Sequence, residues 1–124
     1  MPRFTDRELD VMSVLWDLGE ATVADVQARL PDRLAYTTVL TVLRVLEEKG
    51  HVGHGEGPGR AYLYHPLVER EEAGSSALGR LMDRVFKGSP ELLLTQLVSE
   101  GDLSDEELER MRRVLDQRLK ERGS

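Results

Sequence analysis

The first 50 residues of the chain contain the start and stop signals of three short helices. The first helix opens with a capping box at residues 5–8 (T-D-R-E) and stops at Gly19. Thr22 can cap the second helix, which Pro31 ends. A third helix is predicted for residues 36–49, where a glycine follows. Because the connections are so short, the three helices must pack against one another.

The segment after the third helix predicts a β-hairpin. Residues 53–59 hold four glycines and Pro58, and short β-prone stretches flank them at residues 51–52 and 61–65. We expect residues 53–59 to form the tip of the hairpin and Pro66 to close the unit. Helix, helix, helix, hairpin is the order of elements in a winged helix-turn-helix, and the alternative is a three-helix bundle with an added hairpin.

The second half of the chain is helical in a different style. Its apolar residues recur at helical spacing in three stripes, which are Leu78, Leu81, Met82, Val85 and Phe86, then Leu92, Leu93, Leu94, Leu97 and Val98, then Leu108, Met111, Leu115 and Leu119. Three helices from so short a segment cannot bury these stripes alone. We expect a second copy of the chain to cover them, and the alternative is that they fold back on the first domain. The predicted architecture is mainly α, with a winged-helix domain at residues 1–66 and a helical dimerisation domain at residues 67–124.

A helical wheel divides the predicted third helix into two faces. The inward arc is apolar: Val39, Val42, Leu43 and Leu46. The opposite arc is polar: Thr37, Thr41, Arg44 and Glu48. A helix in the major groove of DNA presents its N-terminal residues to the base edges, so we interpret the third helix as the recognition helix.

The candidate DNA contacts extend beyond this helix. Thr22 can offer its hydroxyl and nearby amides to a phosphate. Arg60, expected at the base of the hairpin, can reach the DNA backbone or the minor groove. The predicted DNA-binding residues are Thr22, Tyr36, Thr37, Thr38, Leu40, Thr41, Arg44 and Arg60. Two alternatives stay open: Thr37 and Thr38 could merely cap the helix, and Leu40 could belong to the core.

The charge balance argues against DNA binding. The chain has 17 Lys and Arg against 23 Asp and Glu, a net charge of −6, whereas nucleic-acid binders are usually basic. Arg3, Arg33 and Lys49 could add phosphate contacts, which Glu47 and Glu48 would oppose. Few cationic contacts per subunit would make the affinity depend on two linked half-sites in a dimer. A winged-helix module that binds proteins and not DNA is therefore the alternative function.

Other kinds of chemistry find little support. The chain has no cysteine and no secretory signal, and no apolar run reaches the about 20 residues of a membrane span, so we expect a cytoplasmic protein without membrane insertion. His51, His54 and His65 form no compact ligand cluster, and residues 53–59 lack the ending of a phosphate loop. The sequence predicts neither an enzyme nor a cofactor. A ligand-sensing repressor, with an effector pocket marked by the small residues of segment 74–79, is a further alternative.

Three stretches of the sequence carry a family resemblance. They are FTDREL with VMSVLW in residues 4–16, LAYTTVLTVLRVLEEKG in residues 34–50 and RAYLYHPLV in residues 60–68. Together they resemble the penicillinase-repressor family, BlaI/MecI/CopY. The resemblance implies a winged-helix domain followed by a helical dimerisation domain. It also implies a dimer that represses transcription at palindromic operators on double-stranded DNA, in front of genes for β-lactam resistance or copper handling.

The regulation that the resemblance implies transfers only in part. Copper-responsive members sense the metal through cysteines near the C-terminus, and this chain has none, which excludes that route. The β-lactam-responsive members are cut at an Asn-Phe bond in the dimerisation domain by a membrane-bound sensor metalloprotease. The matching position here is Gln96-Leu97, which makes these two residues the candidate cleavage position and leaves the inducing signal open.

Overall fold

The computed structural model describes residues 3–123, which form six helices and one two-stranded sheet. In chain order the elements are α1 (Asp6–Leu18), α2 (Val23–Arg29), α3 (Tyr36–Glu48), β1 (Val52–Glu56), β2 (Tyr62–Pro66), α4 (Arg70–Arg84), α5 (Pro90–Glu100) and α6 (Asp105–Gly123). This order confirms the predicted fold class, mainly α with a winged helix-turn-helix. The chain divides into two compact units, one ending at Arg80 and one beginning at Leu81, inside α4. The functional boundary expected after Pro66 stays a prediction.

The capping box at the start of α1 is tied to the end of α3. The Thr5 hydroxyl accepts a hydrogen bond from the Glu8 amide (3.1 Å), and the Glu8 carboxylate accepts one from the Thr5 amide (2.8 Å). The Lys49 ammonium lies 2.8 Å from the same carboxylate, and Glu8 is only 4% exposed. Burial by itself raises the pKa of Glu8, but Lys49 and the Thr5 amide outweigh it and hold the pKa below its ordinary value. Lys49 is therefore paired within the fold, and a phosphate would have to compete with Glu8 for its ammonium group.

Side chains of the first three helices and of both strands share one core. The largest fully buried side chains are Val11, Met12, Leu15, Val26, Val39, Leu43, Leu46, Val52 and Tyr64. Val42, on the edge of the inward arc of α3, is partly buried and packs against this core. Each such side chain contributes about 1.5–3 kcal/mol by its burial, so the rotation of α3 about its own axis is firmly set.

A backbone bridge anchors the hairpin, which we call the wing, at its base. Ala21, between α1 and α2, exchanges two hydrogen bonds with Tyr64 of β2 (2.8 and 2.9 Å). On its other side β2 pairs antiparallel with β1, from Val52↔Pro66 to Glu56↔Tyr62. The wing therefore leaves the helices from a fixed point at Tyr64.

The strands run further than the sequence predicted. The first half of the expected tip, including Gly53, belongs to β1, so the turn covers residues 57–61 and not residues 53–59. A Cβ atom at Gly53 would stand 3.1 Å from the His65 ring, which explains a glycine inside a strand. Arg60 consequently lies in the turn at the tip of the wing. The expectation that it lies at the base is wrong, because glycine-rich composition was taken for a turn where strand pairing continues.

A hydrogen bond joins α1 to the chain that leaves the wing. The indole nitrogen of Trp16 donates to the carbonyl oxygen of Val68 (2.8 Å). The Arg70 guanidinium lies 5.6 Å from the centre of the Trp16 ring and pairs with Asp17 (2.7 Å). Ala73, one turn further, is buried. The first turns of α4 are thus attached to the winged helix.

The second unit contains the end of α4 together with α5 and α6. The Ser89 hydroxyl caps α5 by accepting from the Leu92 amide (3.3 Å), and Gly101 caps its end. A capping box of Ser104 and Glu107 begins α6, with both hydrogen bonds at 3.1 Å. No residue of α5 or α6 is buried among those the structure describes. Over residues 3–123, no helix is long and apolar enough to cross a membrane.

Candidate nucleic-acid interface

The helix α3 begins without a side-chain cap. Its N-cap is Ala35, which has no side-chain acceptor. The side-chain amide of Gln27 donates to the Leu34 carbonyl (2.9 Å) and so holds the turn between α2 and α3. Thr37 and Thr38 therefore do not cap the helix, and the interpretation of these two residues as caps is wrong. The Thr38 amide donates to the Ala35 carbonyl (3.0 Å), so the first two amides of α3, those of Tyr36 and Thr37, are left to solvent or to an anion.

The outer face of α3 carries most of the residues predicted to contact DNA. Five of them are exposed: Tyr36, Thr37, Thr38, Thr41 and Arg44. The Thr41 hydroxyl donates to the Thr37 carbonyl (2.9 Å), which leaves its oxygen able to accept from a base or a water. Leu40 is partly buried and packs against the core, so only part of its side chain can meet a ligand. The polar stripe proposed from the wheel is therefore present as a solvent-facing surface.

Thr22 forms a capping box at the start of α2. Its hydroxyl accepts from the Asp25 amide (3.1 Å), and its own amide donates to the Asp25 carboxylate (3.1 Å). The hydroxyl proton is still free to donate to a phosphate oxygen. The Thr22 amide is already bonded to Asp25 and is not free for a phosphate, so only the side chain of Thr22 can make the expected contact.

The tip of the wing carries an exposed cation and an exposed aromatic ring. Arg60 is exposed in the turn, and Tyr62, the first residue of β2, is 52% exposed. The Tyr62 ring stacks on His54 of β1, with centroids 4.1 Å apart and planes 20° from parallel. Both strands of the wing are thereby joined beyond their backbone hydrogen bonds.

Similarity to known proteins decides the family. The family model described as penicillinase repressor matches residues 4–117. The chain belongs to the penicillinase repressor family. The penicillinase repressor of Bacillus licheniformis is 24% identical over 119 residues, which cover 94% of this chain and 92% of that protein. The methicillin resistance regulatory protein MecI of Staphylococcus aureus (strain N315) is 23% identical to this chain over 113 residues, which cover 90% of this chain and 91% of MecI.

A solved structure shares the fold of the repressor. The structure of Streptococcus pneumoniae FabT in complex with DNA superposes with a TM-score of 0.50 and 21% identity, over 94% of this chain and 74% of that one. The family resemblance seen in the sequence is confirmed, and the chain is a DNA-binding transcriptional repressor and not an enzyme. The alternative of a winged-helix module without DNA binding is set aside. Within residues 3–123, no group of three or more His, Asp or Glu side chains could hold a metal ion.

The basic side chains of the repressor divide into paired and unpaired ones. Arg7, Lys49 and Arg70 are held by carboxylates of the same unit. Arg44 and Arg60 form no ion pair with any residue between positions 3 and 123. These ion pairs leave the net charge unchanged, but they do not involve Arg44 or Arg60, whose guanidinium groups are free to meet a phosphate or a base.

Sequence reasoning missed a contact between the recognition helix and the wing. The His54 Nδ1 atom lies 2.6 Å from the Glu47 Oε2 atom. The sequence predicted only that Glu47 would oppose phosphate contacts, and it assigned His54 no contact with the helix. Burial raises the pKa of Tyr64, a buried residue of β2. The charge of Glu47 raises this pKa further, and the charge of Arg44 lowers it. Tyr64 therefore stays neutral, and the base of the wing carries no phenolate.

The candidate cleavage position lies in the middle of α5. Gln96 and Leu97 are exposed, and both line an apolar groove of the second unit with Leu81, Val85 and Phe86. The Leu97 carbonyl accepts from the Gly101 amide (3.0 Å), as in a regular helix. A bond held in a helix reaches a protease only when that helix opens locally, so a cut here requires partial unwinding of α5.

Proposed function

We propose that the repressor binds a palindromic operator as a homodimer, with α3 of each subunit in a major groove. The observation that carries the proposal is the division of α3 into two sides. Val39, Leu43 and Leu46 are fully buried on one side, while threonine hydroxyls and the unpaired Arg44 are exposed on the other. Because such an operator lies on chromosomal DNA, we place the repressor in the cytoplasm.

The contacts follow from where each group lies on α3. The uncapped first turn, with Tyr36, Thr37 and Thr38, supplies amides and hydroxyls to the DNA backbone. Arg44, two turns further, can reach the edge of a guanine, and the exposed part of Leu40 can touch a thymine methyl group. Thr22 adds a hydroxyl donor to a phosphate, and Arg60 reaches the backbone or the minor groove beside the wing.

Apolar surface on the second unit supports the homodimer. Large apolar side chains are exposed along the three helices: Leu81, Val85, Leu92, Leu94, Leu97, Val98, Val114, Leu115 and Leu119. So much exposed apolar surface is unusual in a monomer and typical of an association surface. Two-fold symmetry would then present two copies of α3 to two inverted half-sites.

Binding titrations at several salt concentrations test the recognition helix. Arg44→Ala should cost about 1–3 kcal/mol of binding free energy if the guanidinium reads a guanine, and should lower the salt slope by about 1 per subunit if it meets a phosphate. Arg122→Ala, which removes one exposed charge from the end of α6, is the matched control. Unchanged affinity and slope in both Arg44→Ala and Thr41→Ala would mean that α3 does not enter the groove.

Two further measurements test the dimer. Selection from a random duplex pool should recover two inverted half-sites about one helical turn, or about 10 base pairs, apart, and recovery of single half-sites only would contradict the proposal. Sedimentation velocity should show a dimer that Leu115→Glu weakens, because a charge would enter the association surface. A wild-type monomer at all concentrations would contradict it as well.

We also propose that a membrane-bound sensor metalloprotease induces transcription by cutting between Gln96 and Leu97. The support is the position of this bond in the second unit, because Gln96 and Leu97 are both exposed and Leu97 belongs to the surface proposed for dimerisation. A cut would divide that surface and weaken the linked binding of two half-sites. Co-expression with such a protease should yield a fragment that begins at Leu97, identified by N-terminal sequencing, and a fragment with any other start would refute the proposed bond.

A further inference from the structure

The wing meets α3 through one polar contact between side chains of the described residues, and this contact is made by His54 in the middle of β1. Within residues 3–123, the only hydrogen bond or ion pair between a side chain of α3 and one of the wing joins Glu47 to His54, at 2.6 Å. The base of the wing is held separately, by the backbone bridge between Ala21 and Tyr64. In the strand register His54 lies opposite Tyr64, so its contact with Glu47 is level with this anchor and acts on the part of the wing beyond it only through the His54 ring.

His54 passes this contact on to the second strand. Its ring stacks on Tyr62, which follows the turn that carries Arg60. Arg60 lies four residues before the anchor at Tyr64, which is roughly 13 Å at the rise of a β-strand. A tilt of the wing by about 20° about this anchor would move the Arg60 backbone by about 4.5 Å. A displacement of this size exceeds what a hydrogen bond to a fixed phosphate tolerates.

We propose that Glu47 is a positioning residue that holds the wing against the recognition helix and so sets where Arg60 meets DNA. The inference rests on the proposed function and deepens it, because α3 and the wing then dock as one rigid body. A positioning role also explains why α3, which faces DNA phosphates in the proposed complex, carries the carboxylate of Glu47. The neighbouring Glu48 is exposed, with no ion pair to any residue in positions 3–123, so it offers a matched control of equal charge.

The first test uses the free protein. Since the chain has no cysteine, Ala28→Cys on α2 and Arg60→Cys at the wing tip give two unique sites for spin labels. Double electron–electron resonance, in an excess of unlabelled protein, measures the distribution of distances between the two labels. This distribution should be narrow in the doubly labelled protein that keeps Glu47 and Glu48, and equally narrow when Glu48→Ala is added. It should be clearly broader in Glu47→Ala. Glu47→Gln should restore the narrow distribution, because its side-chain oxygen still accepts from His54 Nδ1–H. Equal widths in all four proteins would overturn the proposal.

The second test uses DNA. Arg60→Ala should lower the salt slope of operator binding by about 1 per subunit in the wild-type, Glu47→Gln and Glu48→Ala backgrounds. In the Glu47→Ala background it should change the slope hardly at all, because Arg60 is no longer held in place. An equal effect of Arg60→Ala in every background would refute the positioning role. If Arg60→Ala has no effect even in the wild type, the wing contact of the proposed function fails, and the spin-label widths still decide on Glu47.

Discussion

Replacing Glu8 with alanine measures how strongly one buried carboxylate holds the first helix to the third. Glu8 is 4% exposed and accepts hydrogen bonds from the Thr5 amide and the Lys49 ammonium, each at 2.8 Å. A hydrogen bond to a charged group contributes about 1.5–3 kcal/mol, and Glu8→Ala would also leave the Thr5 amide without its partner. Lys49 is 42% exposed and can return to water, which limits the loss. We therefore expect the free energy of unfolding to fall by about 2–4 kcal/mol.

Glu8→Gln separates the charge from the hydrogen bond. The glutamine oxygen can still accept from the Thr5 amide but carries no charge opposite Lys49, so the loss should be roughly half that of the alanine variant. The pKa of Glu8 is lowered in the folded state. The stability that its charge supplies is therefore complete above the ordinary glutamate pKa of about 4.3, and it is lost as the pH falls through the lower pKa of the folded protein. The difference between wild type and Glu8→Gln should close over that range.

Urea unfolding followed by circular dichroism, at one protein concentration and from about pH 7 to about pH 3, measures both effects. Glu20→Gln, an exposed site with the same change of charge, should stay within about 0.5 kcal/mol of the wild type. The reasoning is refuted if Glu8→Gln behaves like Glu20→Gln at neutral pH. It is equally refuted if the gap between wild type and Glu8→Gln persists unchanged at the acid end.

Three other substitutions test separate features of the fold. Leu43→Ala opens a cavity in the core and should lower the free energy of unfolding by about 2–5 kcal/mol in the same urea titration; a loss below about 1 kcal/mol would contradict full burial. Ala35→Ser supplies the missing cap of α3 and should raise the melting temperature through a gain of up to about 1 kcal/mol, while operator affinity falls because the first amides of α3 are then occupied. Trp16→Phe removes the donor to the Val68 carbonyl, so hydrogen exchange at the start of α4 should accelerate; unchanged exchange would show that this bond does not restrain the helix.

The helix boundaries could be predicted because their signals are local. The caps Thr5, Thr22 and Ser89 each bond a backbone amide three residues on, and Gly19 and Gly50 close their helices with φ near +84° and +81°. Such patterns are complete within one helical turn of sequence. The wheel of α3 was predictable for the same reason, because the spacing of its apolar residues alone fixes which side is buried.

The features that the sequence did not predict depend on partners that no local pattern identifies. Gly53 belongs to a strand because β2 pairs with it, although its composition indicates a turn. The bond from Lys49 to Glu8 spans 41 positions, and the contact of Glu47 with His54 crosses from a helix to a strand whose path was unknown. The exposed residues of α3 lie where the sequence placed them, and their contacts with DNA stay predictions.

The bridge between Ala21 and Tyr64 also protects the sheet against unwanted association. Because β2 is flanked by β1 on one side and by Ala21 on the other, its backbone is not an open template at Tyr64. The outer edge of β1 is five residues long and carries glycines at positions 53 and 55 and a charge at Glu56. Short, glycine-containing and charged edges resist the addition of foreign strands. The wing is thus guarded against pairing with the strands of other chains.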